Sequence, residues 1–257
     1  MKRMAIPLID KEEIEIEYWR NSPQERPGSE AVENVVSKLV NARVLLHKLE
    51  RHHDSFANAH HILEIGAGQG WASCIVKRMW PKAHVTACDI SPYAIESVGL
   101  WEDIFSSRLD DAFAAKSYAL PSEPASFDLV FCFEAAHHFV AHRRTFLEMA
   151  RVLKPGGRCL YLHEPACPRA LHWAARARVN RKRPEVPEDV LVFSKIEALA
   201  AAAGLQCETR FDPTTLNRGP TETVYYSVLG GARPLQRLLP CTADFVATKP
   251  SAMSRAA

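Results

Sequence analysis

The feature that most constrains the fold is a loop with three glycines that directly follows a short apolar segment. Residues 61–65 read His-Ile-Leu-Glu-Ile, and residues 66–70 read Gly-Ala-Gly-Gln-Gly. This apolar run, the glycines and the helical pattern over residues 71–80 predict a strand, a tight loop and a helix. Because the helix begins at the loop, its unpaired N–H groups and positive dipole end favour an anionic or polar ligand there.

The alternation of strand and helix patterns continues along the chain. Six more strands are predicted at residues 84–88, 112–118, 127–133, 158–163, 205–211 and 243–248. Helices are predicted between several of them, at about 92–105 and 141–153. Such alternation indicates an α/β fold, with a mostly parallel seven-stranded sheet and helices on both faces.

The chain is expected to divide into three parts. Residues 1–55 are interpreted as an N-terminal arm, irregular over 1–28, followed by a helix. Residues 56–250 would form the α/β domain, and 251–257 a flexible tail. Two proline-containing segments inside the domain do not fit a minimal core and are interpreted as lid or acceptor-binding segments, at residues 165–187 and 212–240.

Composition excludes several classes of partner. The 32 basic and 30 acidic side chains give a formal net charge of +2, too even to favour nucleic acid or an anionic membrane as an obligatory partner. No apolar run is long enough for a transmembrane helix or signal peptide, so a cytoplasmic location is expected. The seven cysteines include no Cys-x-x-Cys pair, so neither disulfides nor a metal site is expected. The pattern does not indicate an oligomeric state.

Two ligand classes compete for the glycine-rich loop. A dinucleotide-binding loop has the spacing Gly-x-Gly-x-x-Gly, whereas here the third glycine is Gly70 and Trp71 stands at the next position. The carboxylate of Glu64 would suit an ammonium group better than a pyrophosphate. An NAD-dependent oxidoreductase is therefore disfavoured, although it remains an alternative.

Four segments in order and in register resemble the class I S-adenosylmethionine-dependent methyltransferase family, type 11/25-like. They are residues 63–70 (Leu-Glu-Ile-Gly-Ala-Gly-Gln-Gly), 88–91 (Cys-Asp-Ile-Ser), 119–130 (beginning Ala-Leu-Pro and ending Ser-Phe-Asp-Leu-Val) and 150–157 (Ala-Arg-Val-Leu-Lys-Pro-Gly-Gly). The resemblance covers residues 60–165 well and 190–248 loosely. It implies a Rossmann-like fold and S-adenosyl-L-methionine as the cofactor.

The resemblance also implies roles for particular residues. Glu64 would orient the methionine ammonium group, and Asp89 would accept both ribose hydroxyls. Lys116 stands where family members often carry an acidic residue near the adenine amino group, so adenine recognition is assigned to the backbone around Ser117 and Tyr118. The remaining implied cofactor contacts are Gly66, Gly68 and Gly70 in the loop, Ile90 on the adenine face, and Phe133 and Glu134 beside the methionine part and the methyl group.

An alcohol, phenol or protonated amine acceptor requires a base. His137 and His138 follow the fourth predicted strand, and imidazole has a suitable pKa for that work. The alternative is that the two side chains only satisfy backbone groups in a tight loop.

Other side chains are candidates for acceptor binding. His163 and Glu164 are predicted at the end of the fifth strand, where ligands of such sheets bind; they could equally bond to neighbouring loops. Tyr18 and Trp19 of the arm could close over the site or merely pack. A basic cluster containing Arg178 could recognise a phosphate or carboxylate or be a solvated helix face; it comprises Arg169, Arg176, Arg178, Arg181, Lys182 and Arg183. Tyr225 and Tyr226 are as ambiguous as the arm residues.

Together these features predict methyl transfer from S-adenosylmethionine to a small organic acceptor, at oxygen or nitrogen. RNA methylation and a non-catalytic cofactor-binding scaffold subunit remain alternatives, and nucleic acid is the less favoured partner because few aromatic residues interleave the basic cluster.

Overall fold

The computed structural model describes residues 8–29, 31–182 and 188–251. Arg183, the end of the predicted lid segment 165–187 and the predicted tail beyond Ser251 lie outside these residues. None of the helices in the described ranges is long and apolar enough to cross a membrane.

The described chain contains one mixed sheet of eight strands. They are β1 (His61–Ile65), β2 (His84–Asp89), β3 (Asp111–Ala114), β4 (Phe127–Phe133), β5 (Leu153–Cys167), β6 (Leu191–Val192), β7 (Gln206–Phe211) and β8 (Cys241–Thr248). The strand order is β3-β2-β1-β4-β5-β8-β7, and β6 pairs with β5 off this path. Only β8 runs antiparallel to its neighbours.

The predicted α/β architecture is confirmed, with one strand more than expected. The seven predicted strands are those along the path from β3 to β7. The eighth, β6, is two residues long. A strand this short contains only one period of side-chain alternation, so its sequence carries no strand signal.

Helices occupy both faces of the sheet. They are α1 (Leu8–Asn21), α2 (Val32–Arg51), α3 (His53–Ala57), α4 (Trp71–Met79), α5 (Pro92–Glu96), α6 (Val98–Ile104), α7 (His142–Val152), α8 (His172–Lys182), α9 (Phe193–Ala202), α10 (Pro220–Gly231) and α11 (Leu235–Leu238). Successive side chains of a strand point to opposite faces. Accordingly Ile62 joins a core with residues of α2, α3 and α4, whereas Leu63 joins a core with residues of α7 and α9.

Two details of the helical prediction are wrong. The arm over residues 1–28 was expected to be irregular, but residues 8–21 form α1. Its apolar residues are too few for a clear periodic stripe, and the contacts of α1 with α5 supply tertiary packing that the local sequence does not reveal. The helix expected over 92–105 is divided at Ser97 into α5 and α6.

Strand β5 is longer than the segment 158–163 that was predicted. It continues to Cys167, with an irregularity in its pairing to β8 between Tyr161 and Glu164. His163 and Glu164 therefore lie within this strand, at its irregular point, and not at its end.

Candidate active site

A cavity of about 900 Å³ opens where β1, β2 and β4 end. It is lined by Gly66 and Gly68 after β1, by Asp89 and Ile90 at the end of β2, and by Glu134 after β4. Ligands of doubly wound sheets bind at this carboxyl edge. Other predicted residues also line it, namely Tyr18, Trp19, Ser117, Tyr118, His137, His138 and His163.

A smaller cavity of about 130 Å³ adjoins the first and shares Gly66, Gly68 and Glu134 with it. Glu64 and Phe133 line this smaller cavity. The two cavities thus bring together all the predicted cofactor residues except Gly70.

The glycine-rich loop requires its three glycines for backbone reasons. Gly66, Gly68 and Gly70 have φ values of 68°, 53° and 79°, a region that side chains make unfavourable. A Cβ atom at Gly66 would lie 2.8 Å from the Cβ of Ala135. Gly70 lies at the start of α4, where it serves the turn and not the cavity wall.

Asp89 is held by the same loop. Its Oδ2 accepts a hydrogen bond of 2.8 Å from the backbone N–H of Gly68, and its Oδ1 accepts one of 2.8 Å from Ser91. Burial raises the pKa of Asp89 to about 6, although these backbone donors act in the opposite direction. The carboxylate is therefore oriented towards the cavity, while it also bonds the residue before α5.

Glu64 is buried at the smaller cavity with one side-chain donor. The hydroxyl of Ser73, on α4, donates to Glu64 Oε2 at 2.5 Å. Burial raises the pKa of Glu64 to about 8. A cationic group that entered this cavity would stabilise the ionised carboxylate.

The segment after β3 contacts α1. Lys116 and Tyr118 both bond to Glu12, the tyrosine hydroxyl at 2.5 Å from Glu12 Oε1. The hydroxyl of Ser117 lies 2.9 Å from that of Thr145 on α7. Lys116, the departure from the family pattern, is thus one half of an ion pair that fixes α1 to this side of the cavity.

Helix α1 covers the glycine-rich loop. A Cβ atom at Gly68 would lie 3.1 Å from Trp19 Cζ2, so the indole ring lies directly against the loop. Glu15, one turn earlier, lines the large cavity, and burial together with the charge of Asp89 raises its pKa to about 7. The arm is therefore part of the cavity wall.

His137 is oriented by Glu164, which is fully buried. Glu164 Oε2 lies 2.8 Å from His137 Nδ1, and its two oxygens also accept the backbone N–H groups of Ala135, Ala136 and His137. Burial alone would lower the pKa of His137, but the charge and hydrogen bond of Glu164 outweigh it and raise that pKa. Glu164 thus holds the short 3-10 turn at Ala136–His138 and leaves His137 Nε2 as the nitrogen available to a ligand.

His138 and Glu188 complete this corner of the cavity. His138 Nδ1 lies 3.5 Å from Glu15 Oε2. Glu188 is buried and lines the same cavity. Among the described residues, His137, His138 and Glu188 bring three potential metal-ligating atoms within 4.8 Å of one another.

Glu134, the residue after β4, lies close to His163 within β5. Their φ values are 50° and 59°, unfavourable for residues with side chains, and His163 Nε2 lies 3.6 Å from Glu134 Oε1. Burial and the charges of Lys48 and Arg218 lower the pKa of His163 to about 3. A side chain that is neutral throughout the ordinary pH range is a weak base, so His163 is better suited to packing than to proton transfer.

In another part of the cavity wall, the sequence singled out Tyr226 and the segment 212–240, but not Arg218. Arg218 lines the cavity, with its guanidinium 3.3 Å from the ring centroid of Tyr226. Arg178, the predicted basic residue, is exposed on α8 and does not line either cavity.

Glu15, Glu188 and Arg218 are among the wall residues that sequence reasoning missed. Each lies in a segment without a family motif, and charged residues in such segments are usually solvated. The only available signal was that Arg218 falls within the segment 212–240 assigned to acceptor binding.

Comparisons with known proteins agree with this arrangement. Residues 63–161 match the family model described as a methyltransferase domain. A malonyl-[acyl-carrier protein] O-methyltransferase of Hahella chejuensis is 36% identical over 100 residues, which cover 38% of this chain and 34% of that protein. A ubiquinone biosynthesis O-methyltransferase of Xylella fastidiosa is 33% identical over 97 residues, which cover 38% of this chain and 39% of that protein. The match thus spans little more than a third of the length of either relative.

The likeness in fold extends much further. A geranyl diphosphate C-methyltransferase of Streptomyces coelicolor, solved with Mg²⁺, geranyl diphosphate and S-adenosyl-L-homocysteine, superposes with a TM-score of 0.65 at 15% identity. That superposition covers 96% of this chain and 99% of the other.

Fold and cavity together define a Rossmann-like ligand-binding domain. Residues 63–161 match a methyltransferase domain, in agreement with the class I, S-adenosylmethionine-dependent methyltransferase family that the sequence motifs resemble. The residues present fit that cofactor. Gly66 and Gly68 line the cavities without side chains, Asp89 offers a carboxylate for hydroxyl groups, and Glu64 offers a buried carboxylate for an ammonium group.

Proposed function

We propose that this protein transfers a methyl group from S-adenosylmethionine to a hydroxyl or amine of a small organic acceptor. The observation that carries the proposal is the continuity of the large cavity. Gly66, Gly68 and Asp89 line this cavity, and the histidine pair, Arg218 and Tyr226 line the same space. A donor and an acceptor can therefore occupy one enclosure, which is the main requirement for an in-line transfer.

The cofactor end has a specific assignment. Asp89 accepts the ribose hydroxyls, Glu64 faces the methionine ammonium group, and Phe133 and Glu134 lie on the methionine side. The adenine ring would lie towards Ile90, Ser117 and Tyr118. When bound, S-adenosylmethionine supplies the methyl group, and the electron pair of the broken carbon–sulfur bond remains on the sulfur of S-adenosylhomocysteine.

The acceptor is activated at the histidine pair. A hydroxyl or protonated amine must lose a proton as it takes the methyl group. His137 is the better oriented of the two because Glu164 holds Nδ1 and directs the ring. The imidazoles can act by taking the proton directly or by holding a cation that lowers the pKa of the acceptor. The O-methyltransferases among the relatives favour oxygen as the methylated atom.

The wall around the acceptor end is built by segments outside the family match. Arg218 and Tyr226 come from the segment 212–240, Glu188 precedes β6, and Glu15 comes from α1. These residues would select the acceptor. Because the matches to these relatives cover only 38% of this chain, the acceptors of the relatives are not transferred to it.

Calorimetry with S-adenosylhomocysteine tests the cofactor half. We expect saturable binding by the wild-type protein, and a protein that bound no S-adenosylhomocysteine would contradict the proposal. Incubation with methyl-labelled S-adenosylmethionine and fractionated cell extract then tests transfer. A labelled small molecule is expected, whereas label found only in RNA would replace the proposed acceptor class. His137→Asn should lower the labelling while the affinity for S-adenosylhomocysteine is retained.

A further inference from the structure

We propose that His137, His138 and Glu188 form a binding site for a divalent transition-metal ion, with Zn²⁺ as the best match. The site lies in the wall of the large cavity, which Asp89 and Arg218 also line. Its existence does not depend on methyl transfer. What the bound ion does to an acceptor rests on the proposed function.

The three side chains converge from two separate parts of the chain. His137 and His138 come from the 3-10 turn after β4, and Glu188 comes from the stretch before β6. One ligand atom from each lies within 4.8 Å of the others. A single ion can therefore contact all three after small side-chain adjustments, since zinc–nitrogen and zinc–oxygen bonds are about 2.0–2.2 Å long.

The surroundings of His137 have the organisation of a metal ligand. Histidines that bind metals usually donate their second ring N–H to a carboxylate, which fixes the tautomer and the orientation of the ring. Glu164 provides this carboxylate at 2.8 Å from Nδ1. The same carboxylate holds three backbone N–H groups of the turn, so the position of the ligand is rigidly defined.

Backbone contact also links the two halves of the site. The backbone N–H of Asp189, the residue after Glu188, lies 3.3 Å from the carbonyl oxygen of His137. Glu188 is thereby kept next to the turn, although it is 50 residues further along the chain. A further carboxylate, Glu15, approaches His138 from α1 and adds negative charge beside the site.

The ligand set determines the kind of ion. Two imidazoles and one carboxylate are unsuited to Mg²⁺ or Ca²⁺, which prefer oxygen ligands. Imidazole suits zinc and other divalent transition metals, and three protein ligands leave an open position for water or substrate. Because the site faces the cavity, that position is open to an acceptor.

At the open position the ion would activate an acceptor hydroxyl. A hydroxyl bound to zinc has a much lower pKa, so its proton passes to water while the oxygen stays on the ion. An electron pair of this oxygen then forms the bond to the methyl carbon, and the pair of the breaking carbon–sulfur bond stays on sulfur. The two histidines would then act as ligands instead of as a base.

Titration of the metal-free wild-type protein with ZnCl₂ tests the site directly. We expect one equivalent of Zn²⁺ to bind with a Kd in the micromolar range or below, and Mg²⁺ to bind far more weakly. His138→Ala and Glu188→Gln should each weaken Zn²⁺ binding at least tenfold. Glu164→Gln, a change in the orienting carboxylate, should weaken it by about 10–100-fold. A Co²⁺ absorption spectrum should report the loss of histidine ligation in His138→Ala.

The matched control is His84→Ala. His84 lies at the opposite end of the sheet, exposed and stacked on His61 at 5.4 Å between ring centroids, and such a pair could collect Zn²⁺ adventitiously. The control should bind Zn²⁺ like the wild type. Loss of binding in His84→Ala, unchanged binding in both His138→Ala and Glu188→Gln, or no binding below about 100 μM by the wild type would each overturn the site. Circular dichroism identifies a variant that fails to fold. If either His138→Ala or Glu188→Gln fails to fold, Zn²⁺ binding by the other of these two variants decides whether the site exists.

The proposed metal site and the proposed methyltransferase function can be refuted independently of each other. Zn²⁺ binding without S-adenosylhomocysteine binding would refute the methyltransferase proposal and leave the site in place. S-adenosylhomocysteine binding without a Zn²⁺ site would refute the metal and leave direct proton transfer to a histidine as the mode of activation.

Discussion

Two pairs of buried carboxyl groups lie on opposite sides of β5 and differ in their partners. Glu64 and Asp89 at the cofactor end contact neutral donors, and burial raises their pKa values to about 8 and about 6. Asp212 and Asp244 contact Lys48, which is completely buried, at 2.5 Å and 2.7 Å. Although burial opposes it, this lysine and neighbouring donors lower the pKa values of both aspartates.

The difference separates a binding function from a structural one. In the cluster of Lys48, Asp212 and Asp244, the lysine ammonium group already neutralises the buried carboxylates. The cluster connects α2 to β8 and to the residue after β7. It also reaches the cavity, because Asp244 Oδ1 accepts the backbone N–H of His163 at 2.9 Å. Within residues 8–29, 31–182 and 188–251, no lysine or arginine forms an ion pair with Glu64 or Asp89. Buried carboxyl groups with raised pKa values in a cavity are typical of functional sites.

The largest expected effect is on stability, in the structural pair. Lys48→Met would leave Asp212 and Asp244 buried without their lysine, although His47 and Arg51 still pair with Asp212 and His52 with Asp244. Removing one partner of a buried ion pair typically costs about 3–5 kcal/mol. Equilibrium urea denaturation should therefore show a loss of this size in the free energy of unfolding. Lys82→Met, on the exposed turn before β2, is the control and should change it by less than about 0.5 kcal/mol. If Lys48→Met lowered the free energy of unfolding by less than about 1 kcal/mol, the structural role of the pair Asp212 and Asp244 would be refuted.

The next effect is on ligand affinity, in the functional pair. Asp89→Asn keeps the size of the side chain but removes the charge that strengthens hydrogen bonds to ribose hydroxyls. A hydrogen bond to a charged group contributes about 1.5–3 kcal/mol, so calorimetry should show roughly 10–100-fold weaker binding of S-adenosylhomocysteine. Asp111→Asn changes an exposed carboxylate at the start of β3 and should leave the affinity unchanged. If the wild type and Asp89→Asn bound S-adenosylhomocysteine with equal affinity, the proposed contact of Asp89 with the ribose hydroxyls would be refuted.

The same contrast explains which parts could be predicted from the sequence. Asp89 was recognisable because strand, loop and carboxylate follow one another within a few dozen residues, and the register of four local motifs identifies them. Lys48 was not, because its partner Asp212 is 164 residues away and a lysine in an amphipathic helix ordinarily faces solvent. Only tertiary packing distinguishes the two cases.

The residues that line the acceptor end of the cavity could not be predicted from the sequence for a related reason. Glu15 and Arg218 become neighbours of the cavity only when α1 and the segment before α10 fold over the sheet edge. The sequence predicted the segment 212–240 as an acceptor wall, which stays a prediction, but no local pattern distinguished Arg218 from Arg178.

The smallest expected effect is on the pH dependence of stability. It tests whether ionisation of Glu64 changes the free energy of unfolding in the opposite direction to ionisation of Asp212 and Asp244. In the unfolded chain Glu64 ionises near 4.5, the ordinary pKa of a glutamate, whereas in the folded protein without cofactor its pKa is about 8. Between these values the folded state binds the extra proton, so stability from this group is present below pH 4.5 and is lost as pH rises towards 8. Asp212 and Asp244 act oppositely, since their contribution is lost only in acid.

Glu64→Gln mimics the protonated carboxyl and retains an oxygen that can accept the Ser73 hydrogen bond. The variant should therefore gain stability relative to the wild type between about pH 5 and pH 8, by at least about 1 kcal/mol, since one pKa unit corresponds to about 1.36 kcal/mol. Urea titrations of the cofactor-free protein at both pH values measure the difference. Glu96→Gln, which removes an exposed carboxyl on α5, should follow the wild type at both. If Glu64→Gln were instead relatively less stable at the higher pH than at the lower, Glu64 would have to be ionised against an unrecognised cation, and the two pairs of carboxyl groups would no longer differ in kind.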